Sequence, residues 1–186
     1  MTANSLSRHI ENPVTGDRIS FIQSPMMGEG DMLIFRCRLA PHAKGSPAHV
    51  HEAVYETFLV EHGEMTFTLG AKADRTLTAG EGIDLPPGTV HGFRNRAASE
   101  AWFVSTANPG IELEAFLRAL YDLAARGQTD GDGNPKDLRD LALILSNVDL
   151  TADGLPRAVQ KAAIAVLAWF ARLKASRRSL VPSAAW

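Results

Sequence analysis

Cys37 is the only cysteine in the chain, so no disulfide can form within it and a thiolate-rich metal site is excluded. An excess of charge of one sign is missing too. The 19 Lys and Arg stand against 21 Asp and Glu, for a net charge of −2 and a pI near 6.3, which leaves no footprint for nucleic acid. A short basic cluster, Arg172, Lys174, Arg177 and Arg178, falls at the end of an expected helix, where positive charge complements the helix dipole. Long apolar runs are lacking. The longest, Ala162 to Ala171, is too short to span a bilayer, and Met1 to His9 has no apolar core of a signal peptide. A cytoplasmic protein with neither membrane nor nucleic-acid partner is the expectation. No nucleophile elbow is present, and Gly28-Glu29-Gly30 lacks the third glycine and following helix of a phosphate loop.

What the chain does have, over its first 108 residues, is alternation. Leu33, Phe35, Cys37 and Leu39 fall on one face of a strand and Arg36 and Arg38 on the other, which predicts a half-buried strand with Cys37 inside. Met65, Phe67 and Leu69 alternate with Thr66 and Thr68 in the same way. Short segments of this kind recur at Arg18 to Gln23, Val54 to Val60, Thr76 to Thr78, Ile83 to Leu85, Val90 to Asn95 and Ala101 to Ala107. Turn signals divide them, such as Asn12-Pro13, Gly63, the Gly70 to Arg75 turn, Gly80 and Pro86-Pro87-Gly88. Many short strands spaced by turns predict an antiparallel sandwich or barrel.

The pattern changes at Asn108-Pro109-Gly110. Leu113, Phe116, Leu117, Leu120, Leu123 and Ala124 follow at helical spacing. A second helix is expected over Leu138 to Ser146, opened by Asn134-Pro135. A third is expected from about Pro156 to Ala175, with Val159, Ala163, Val166, Leu167, Phe170 and Leu173 on one stripe. The division is therefore 1–108, a β domain with an N-terminal arm, and 109–186, a helical extension. Its apolar stripes need cover from the β domain or from a second subunit. Two acidic loops, Asp130 to Asn134 and Asp149 to Gly154, depart from a calcium loop at its sixth or twelfth position and read as linkers that cap helices.

Four residues carry the chemistry. His49 and His51 are two apart on an expected strand, so both side chains share a face. Glu56 lies an odd number of residues beyond, so a turn or bulge near Glu52-Ala53 has to re-aim the chain before the carboxylate can join them. His91 follows Gly88 on a separate strand. Imidazole suits Zn, Ni, Cu, Co or Fe, and a carboxylate adds affinity for harder ions such as Mn. His9, His42 and His62 sit in an arm, a loop and a turn and read as solvated.

With these residues in view, the chain resembles the cupins. His49-x-His51, Glu56 and Gly63 follow the family's first motif, and Gly80, Pro86, Gly88, His91 and Asn95 its second. One departure is that Gly45 stands closer to the first histidine than the family's opening glycine usually does. The resemblance spans about residues 30–107. It implies a jelly-roll barrel holding one divalent transition metal on His49, His51, Glu56 and His91, with coordination positions left open, and barrel-edge pairing into a homodimer. Phe58, Met65, Phe67, Leu85, Phe93 and Trp102 are the expected pocket lining, although barrel core is the competing reading for most of them. An apolar pocket over a metal suits an aromatic or enol-like substrate. The leading expectation is a metal-dependent dioxygenase resembling the quercetin dioxygenase-like branch, with Glu56 as a catalytic base. A non-oxidative isomerase, decarboxylase or lyase, and a non-catalytic small-ligand binder, are the alternatives.

Overall fold

The computed structural model describes residues 6–70, 74–154 and 156–178, with side chains through 172. The first five residues of the expected arm, the centre of the Gly70 to Arg75 turn, and the side chains of Leu173, Lys174, Arg177 and Arg178 lie outside the described residues. Ten strands come first. They are β1 (His9–Glu11), β2 (Arg18–Gln23), β3 (Leu33–Leu39), β4 (Ser46–Val50), β5 (Tyr55–His62), β6 (Glu64–Leu69), β7 (Arg75–Thr78), β8 (Gly82–Leu85), β9 (His91–Arg94) and β10 (Ala101–Asn108). The helices α1 (Ile111–Ala125) and α2 (Leu138–Leu145), the two-residue strand β11 (Thr151–Ala152) and the helix α3 (Arg157–Arg178) complete the chain.

The strands form two antiparallel sheets, ordered β1-β2-β3-β10-β5-β8 and β11-β4-β9-β6-β7. This mainly β jelly roll followed by three helices is the fold expected from the sequence. Alternation within each strand sets which side chains meet between the sheets. Phe58 and Phe103 come from the first sheet and Phe67 and Phe93 from the second. Their ring centroids lie 5.3 Å apart for Phe58–Phe67, 5.5 Å for Phe58–Phe93 and 5.4 Å for Phe93–Phe103. Edge-on aromatic contacts of this kind add to the burial of large apolar area. Cys37 is buried, as its strand face predicts. Burial, and then the charge of Asp17, hold its thiol well above the ordinary value.

The helical segment is fastened to the first sheet by a close contact and a buried carboxylate. A Cβ at Gly110, the N-cap of α1, would stand 2.3 Å from Leu33 Cβ, so only glycine lets the helix start this near β3. Four residues on, the fully buried Glu114 accepts from Ser24 Oγ at 2.6 Å and from the Met26 backbone N–H at 3.1 Å, and pairs with Arg118. A buried charge is tolerable because all these donors surround it.

One expectation about the helices needs correction, and one choice that the sequence left open narrows. Asn134-Pro135 does not open α2. Pro135 pairs with Thr129 in a β-bridge, and Asp137 caps the helix by accepting from the Arg139 backbone N–H at 2.9 Å. A side-chain acceptor for an orphan N–H defines the start better than a proline does. The stripe on α3 is not the packed face. Val159, Val166, Leu167 and Phe170 are exposed, and Ala168 and Ala171 are the buried positions. The helix turns its ions inward, Arg157 and Lys161 both pairing with Glu52. Among the described residues no helix is long and apolar enough to cross a membrane.

Gly45, just before β4, has φ +60°, and a Cβ there would lie 2.1 Å from the Phe93 carbonyl oxygen. Gly28 has φ +80° with open space around it. Alanine at Gly28 therefore costs about 1 kcal/mol from the left-handed backbone alone. At Gly45 the clash with rigid backbone adds to that, for a loss of roughly 3 kcal/mol. Urea denaturation of the two variants checks the difference. Equal losses would show that β9 moves aside freely.

Candidate metal centre

The bend anticipated between His51 and Glu56 exists, and it is larger than a bulge. The chain leaves the second sheet after Val50, bends at Glu52-Ala53, and re-emerges as β5 in the first sheet. The odd spacing thus ceases to matter, because His51 and Glu56 reach the site from opposite sheets. His49 lies across from His91 in the β4–β9 pairing. All four side chains are buried, and one ligand atom from each lies within 4.8 Å of the others. His51 Nε2 is 3.4 Å and His91 Nε2 3.0 Å from Glu56 Oε2.

Every imidazole is oriented from behind by a backbone carbonyl. His49 Nδ1 lies 2.8 Å from the Pro47 oxygen, and His91 Nδ1 lies 3.0 Å from the Thr89 oxygen. His51 Nδ1 bonds to the Asp149 oxygen. A carbonyl only accepts, so each Nδ1 must carry the proton, which leaves the Nε2 lone pair of each neutral ring directed inward. The result is visible as cost. Nε2 of His51, Nε2 of His91 and Oε2 of Glu56 are buried without hydrogen-bond partners. Buried orphans are rare unless something satisfies them, and a divalent cation would satisfy all three at once. The donor set fits such an ion, with outer carbonyls positioning the rings as they do in metal sites generally.

The titration behaviour agrees. Burial, with the neighbouring His91, lowers His49 to about 4. Burial pushes His91 down, but Glu56 at 3.0 Å and the Thr89 carbonyl outweigh it, and the net shift is upward from 6.5. Burial pushes the Glu56 carboxyl up, yet His91 and the charge the other imidazoles can carry bring it below its ordinary value.

One contributor escaped the sequence reading. Asp149 supplies the carbonyl for His51, and its carboxylate accepts from the Ala53 backbone N–H at 2.6 Å, inside the bend that re-aims the chain. Next to it, Thr151 and Ala152 pair as β11 with Val50 and His49 of the ligand strand. Of the two acidic loops, this one is a strand and buttress rather than a cap. A 98-residue separation hides such a contact from any local pattern.

The site opens into a cavity of about 350 Å³. Barrel residues line one side, including Phe58, Phe93 and Phe103, while Leu113, Phe116 and Leu117 of α1 and Leu141 and Ile144 of α2 line the other. Of the six expected lining residues, Phe58 and Phe93 face this cavity. Met65, Phe67 and Leu85 are buried and do not line it. Trp102 needs correction. It is 38% exposed on the outer face of the first sheet, beside Arg18, Arg36 and Arg38, because Ala101 and Phe103 hold the inward positions of β10. Phe103 was missed, although the same alternation would have found it. His9, His42 and His62 are exposed, as expected.

Residues 35–106 match the model of the cupin domain family. The match runs from β3 into β10, and the helical extension follows it. Among solved structures, a sugar phosphate isomerase of the cupin superfamily from Silicibacter pomeroyi is similar at 22% identity and a TM-score of 0.47. That match covers 57% of this chain and 67% of the other. An uncharacterized conserved protein with a double-stranded beta-helix domain from Klebsiella pneumoniae subsp. pneumoniae shows 25% identity and a TM-score of 0.43, covering 58% and 83%. An oxalate oxidase shows 21% identity and a TM-score of 0.44, covering 63% and 68%. The comparison with curated proteins found no match.

Two measurements test the centre. A proton on His91 Nε2 competes with a cation. Binding should therefore be full above its raised pKa and weaken about tenfold per unit as pH falls through it, until the other ligands also protonate. Zinc titration from pH 8 to 5 reads this, and a flat profile would remove His91 from the ligand set. Asp149→Ala should weaken metal affinity by about 10-fold or more through loss of the bend's anchor, as measured by competition with a chelating dye.

Proposed function

We propose that this protein is a metal-dependent enzyme of dioxygenase type acting on a small, largely apolar or aromatic molecule with an enol-like oxygen. The observation that carries the reading is the junction of an apolar cavity with the His49, His51, Glu56 and His91 cluster. The composition of the wall adds a second constraint. Among its described residues are Asp17, Glu56 and Asp132 but neither lysine nor arginine. Away from the metal cluster, an anionic group would meet no lysine or arginine among the described lining residues, whereas a neutral ring would bury well among the phenylalanines.

A divalent metal held by the three Nε2 atoms and the Glu56 carboxylate would supply acidity and redox chemistry to a substrate oxygen. The chain's own residues do the rest. Phe58, its ring centroid 6.4 Å from that of His91, puts apolar surface against the cluster, where a lower local dielectric strengthens electrostatic contacts. The three carbonyls keep the imidazoles aimed without further reorganisation. Glu56, on leaving the metal, would act as the base that takes the proton of an enol. Burial pushes its carboxyl up, and the His91 hydrogen bond with the charge the imidazoles can carry brings it below its ordinary value, so the group is ionised at neutral pH and able to accept a proton.

Reconstitution with Fe, Mn, Ni or Co, followed by oxygen uptake with flavonols, diketones and catechols, tests the reading. Consumption should match substrate loss, and Glu56→Gln should lower turnover by about 10²-fold or more even where metal content is retained. Turnover under strict anaerobiosis would instead indicate an isomerase or lyase. Ligand-induced thermal stabilisation without any product would indicate a binding protein.

We also propose a homodimer in which a second copy covers α3. The support is the inverted face of that helix. Its ionic side chains pair with Glu52 of its own barrel, while Val159, Val166, Trp169 and Phe170 are each more than half exposed. A two-fold axis beside the helix lets the same stripe cover itself in both copies. Light scattering should give twice 20.1 kDa for the native chain and a monomer for Trp169→Glu/Phe170→Glu. A monomeric native chain would exclude the dimer.

A further inference from the structure

The cavity has polar groups at a second place, away from the metal cluster. Asp17, Tyr121 and Cys37 line it and lie close enough together that the charge of Asp17 is felt by both of the others. The separation from the metal cluster follows from strand register. Glu56 pairs with Ala107, whereas Cys37 pairs with Phe103, four residues along β10, a rise of about 13 Å. Phe58, Phe93 and Phe103 occupy the stretch between.

The hydrogen-bonding inventory there is incomplete. Asp17 accepts from Thr15 Oγ1 at 2.8 Å and from the Ala40 backbone N–H at 3.2 Å, which leaves about two of a carboxylate's roughly four acceptor positions. The nearest guanidinium, Arg38, is committed to Glu100 on the outer side of the sheet. Tyr121 is 9% exposed, and its hydroxyl has no hydrogen-bond partner among the described residues. Burial, and then Cys37 and Asp17, hold that phenol above its ordinary value, so it keeps its proton and can donate. A buried phenol usually has a partner. This one faces a cavity that a carboxylate with acceptor capacity to spare also lines.

We infer that Asp17 and Tyr121 form a subsite for an uncharged hydroxyl group of the substrate, the hydroxyl donating to the Asp17 carboxylate and accepting from Tyr121 Oη. Asp17 disfavours a carboxylate or phosphate at this position. A plain apolar group would leave both residues unsatisfied, which is the situation in which a site discriminates most strongly. The inference deepens the proposed function and rests on it. The substrate class becomes a two-ended molecule, with a metal-binding oxygen at one end, an aromatic middle and a free hydroxyl at the other.

Calorimetric titration of zinc-loaded protein with biphenyl-3,4-diol and biphenyl-3,4,4′-triol tests it, since the two probes share the catechol end and differ in the far hydroxyl. The triol should bind about tenfold more tightly than the diol. That ratio should fall in Tyr121→Phe and in Asp17→Asn, the latter still able to accept from Ala40, and reach about one in Tyr121→Phe/Asp17→Ala. Metal content is measured for each variant. Equal binding of both probes by the native protein would overturn the subsite and leave the proposed function standing. A preference undiminished in these variants would place recognition elsewhere and overturn it as well. Failure of both probes to bind fully metallated protein would remove the ligand reading of the cavity, and the subsite with it.

Discussion

Three backbone carbonyls, at Pro47, Thr89 and Asp149, decide what this site can be. Each accepts from the Nδ1–H of one imidazole and so leaves the Nε2 lone pair pointing into the site. Without that orientation the same three histidines would be ordinary buried rings, free to donate to Glu56 or to one another. With it, the interior carries buried acceptors whose cost a cation would meet. The fold serves this arrangement by bringing two sheets face to face, so that β4 and β9 present the imidazoles and β5 presents the carboxylate from across the gap.

The helical extension belongs to the same arrangement. The carbonyl for His51 comes from Asp149, and β11 adds a strand to the edge on which His49 and Val50 lie. The donors therefore come from the first half of the chain, while part of their orientation comes from the second. The cavity shares this dependence, since α1 and α2 supply a wall of leucines, isoleucine and phenylalanine that the barrel lacks. Gly110 and Glu114 fix where that wall stands, one by allowing close approach to Leu33 and the other by gathering Ser24, Met26 and Arg118 around a buried charge.

Local pattern carried the strands, the three helices and the four clustered residues, because alternation and motif spacing are short-range properties. It missed where a decision depended on partners distant in sequence. Trp102 was assigned inward on chemical type, yet strand parity sends Ala101 and Phe103 inward and leaves the indole outside. The stripe on α3 was legible as periodicity, but periodicity cannot say which face meets the barrel. Ion pairs to Glu52 and the small residues Ala168 and Ala171 settled that against the apolar side chains. Asp149 carried no signal of its own, since its role is a backbone carbonyl that any residue could offer, and only its carboxylate bond to Ala53 makes the residue type matter.

The wall bears on chemistry more directly than the metal ligands do. A three-histidine, one-carboxylate cluster is compatible with hydrolytic, isomerising and oxidative reactions alike, so it cannot choose among substrates. The cavity narrows that choice through charge and reach. Its phenylalanines favour a flat apolar body, Asp17 disfavours an anion at the far end, and the Tyr121 hydroxyl, without a hydrogen-bond partner among the described residues, offers a donor. The substrate class we propose, an elongated neutral aromatic with oxygen at both ends, matches that wall, part of which the helices supply.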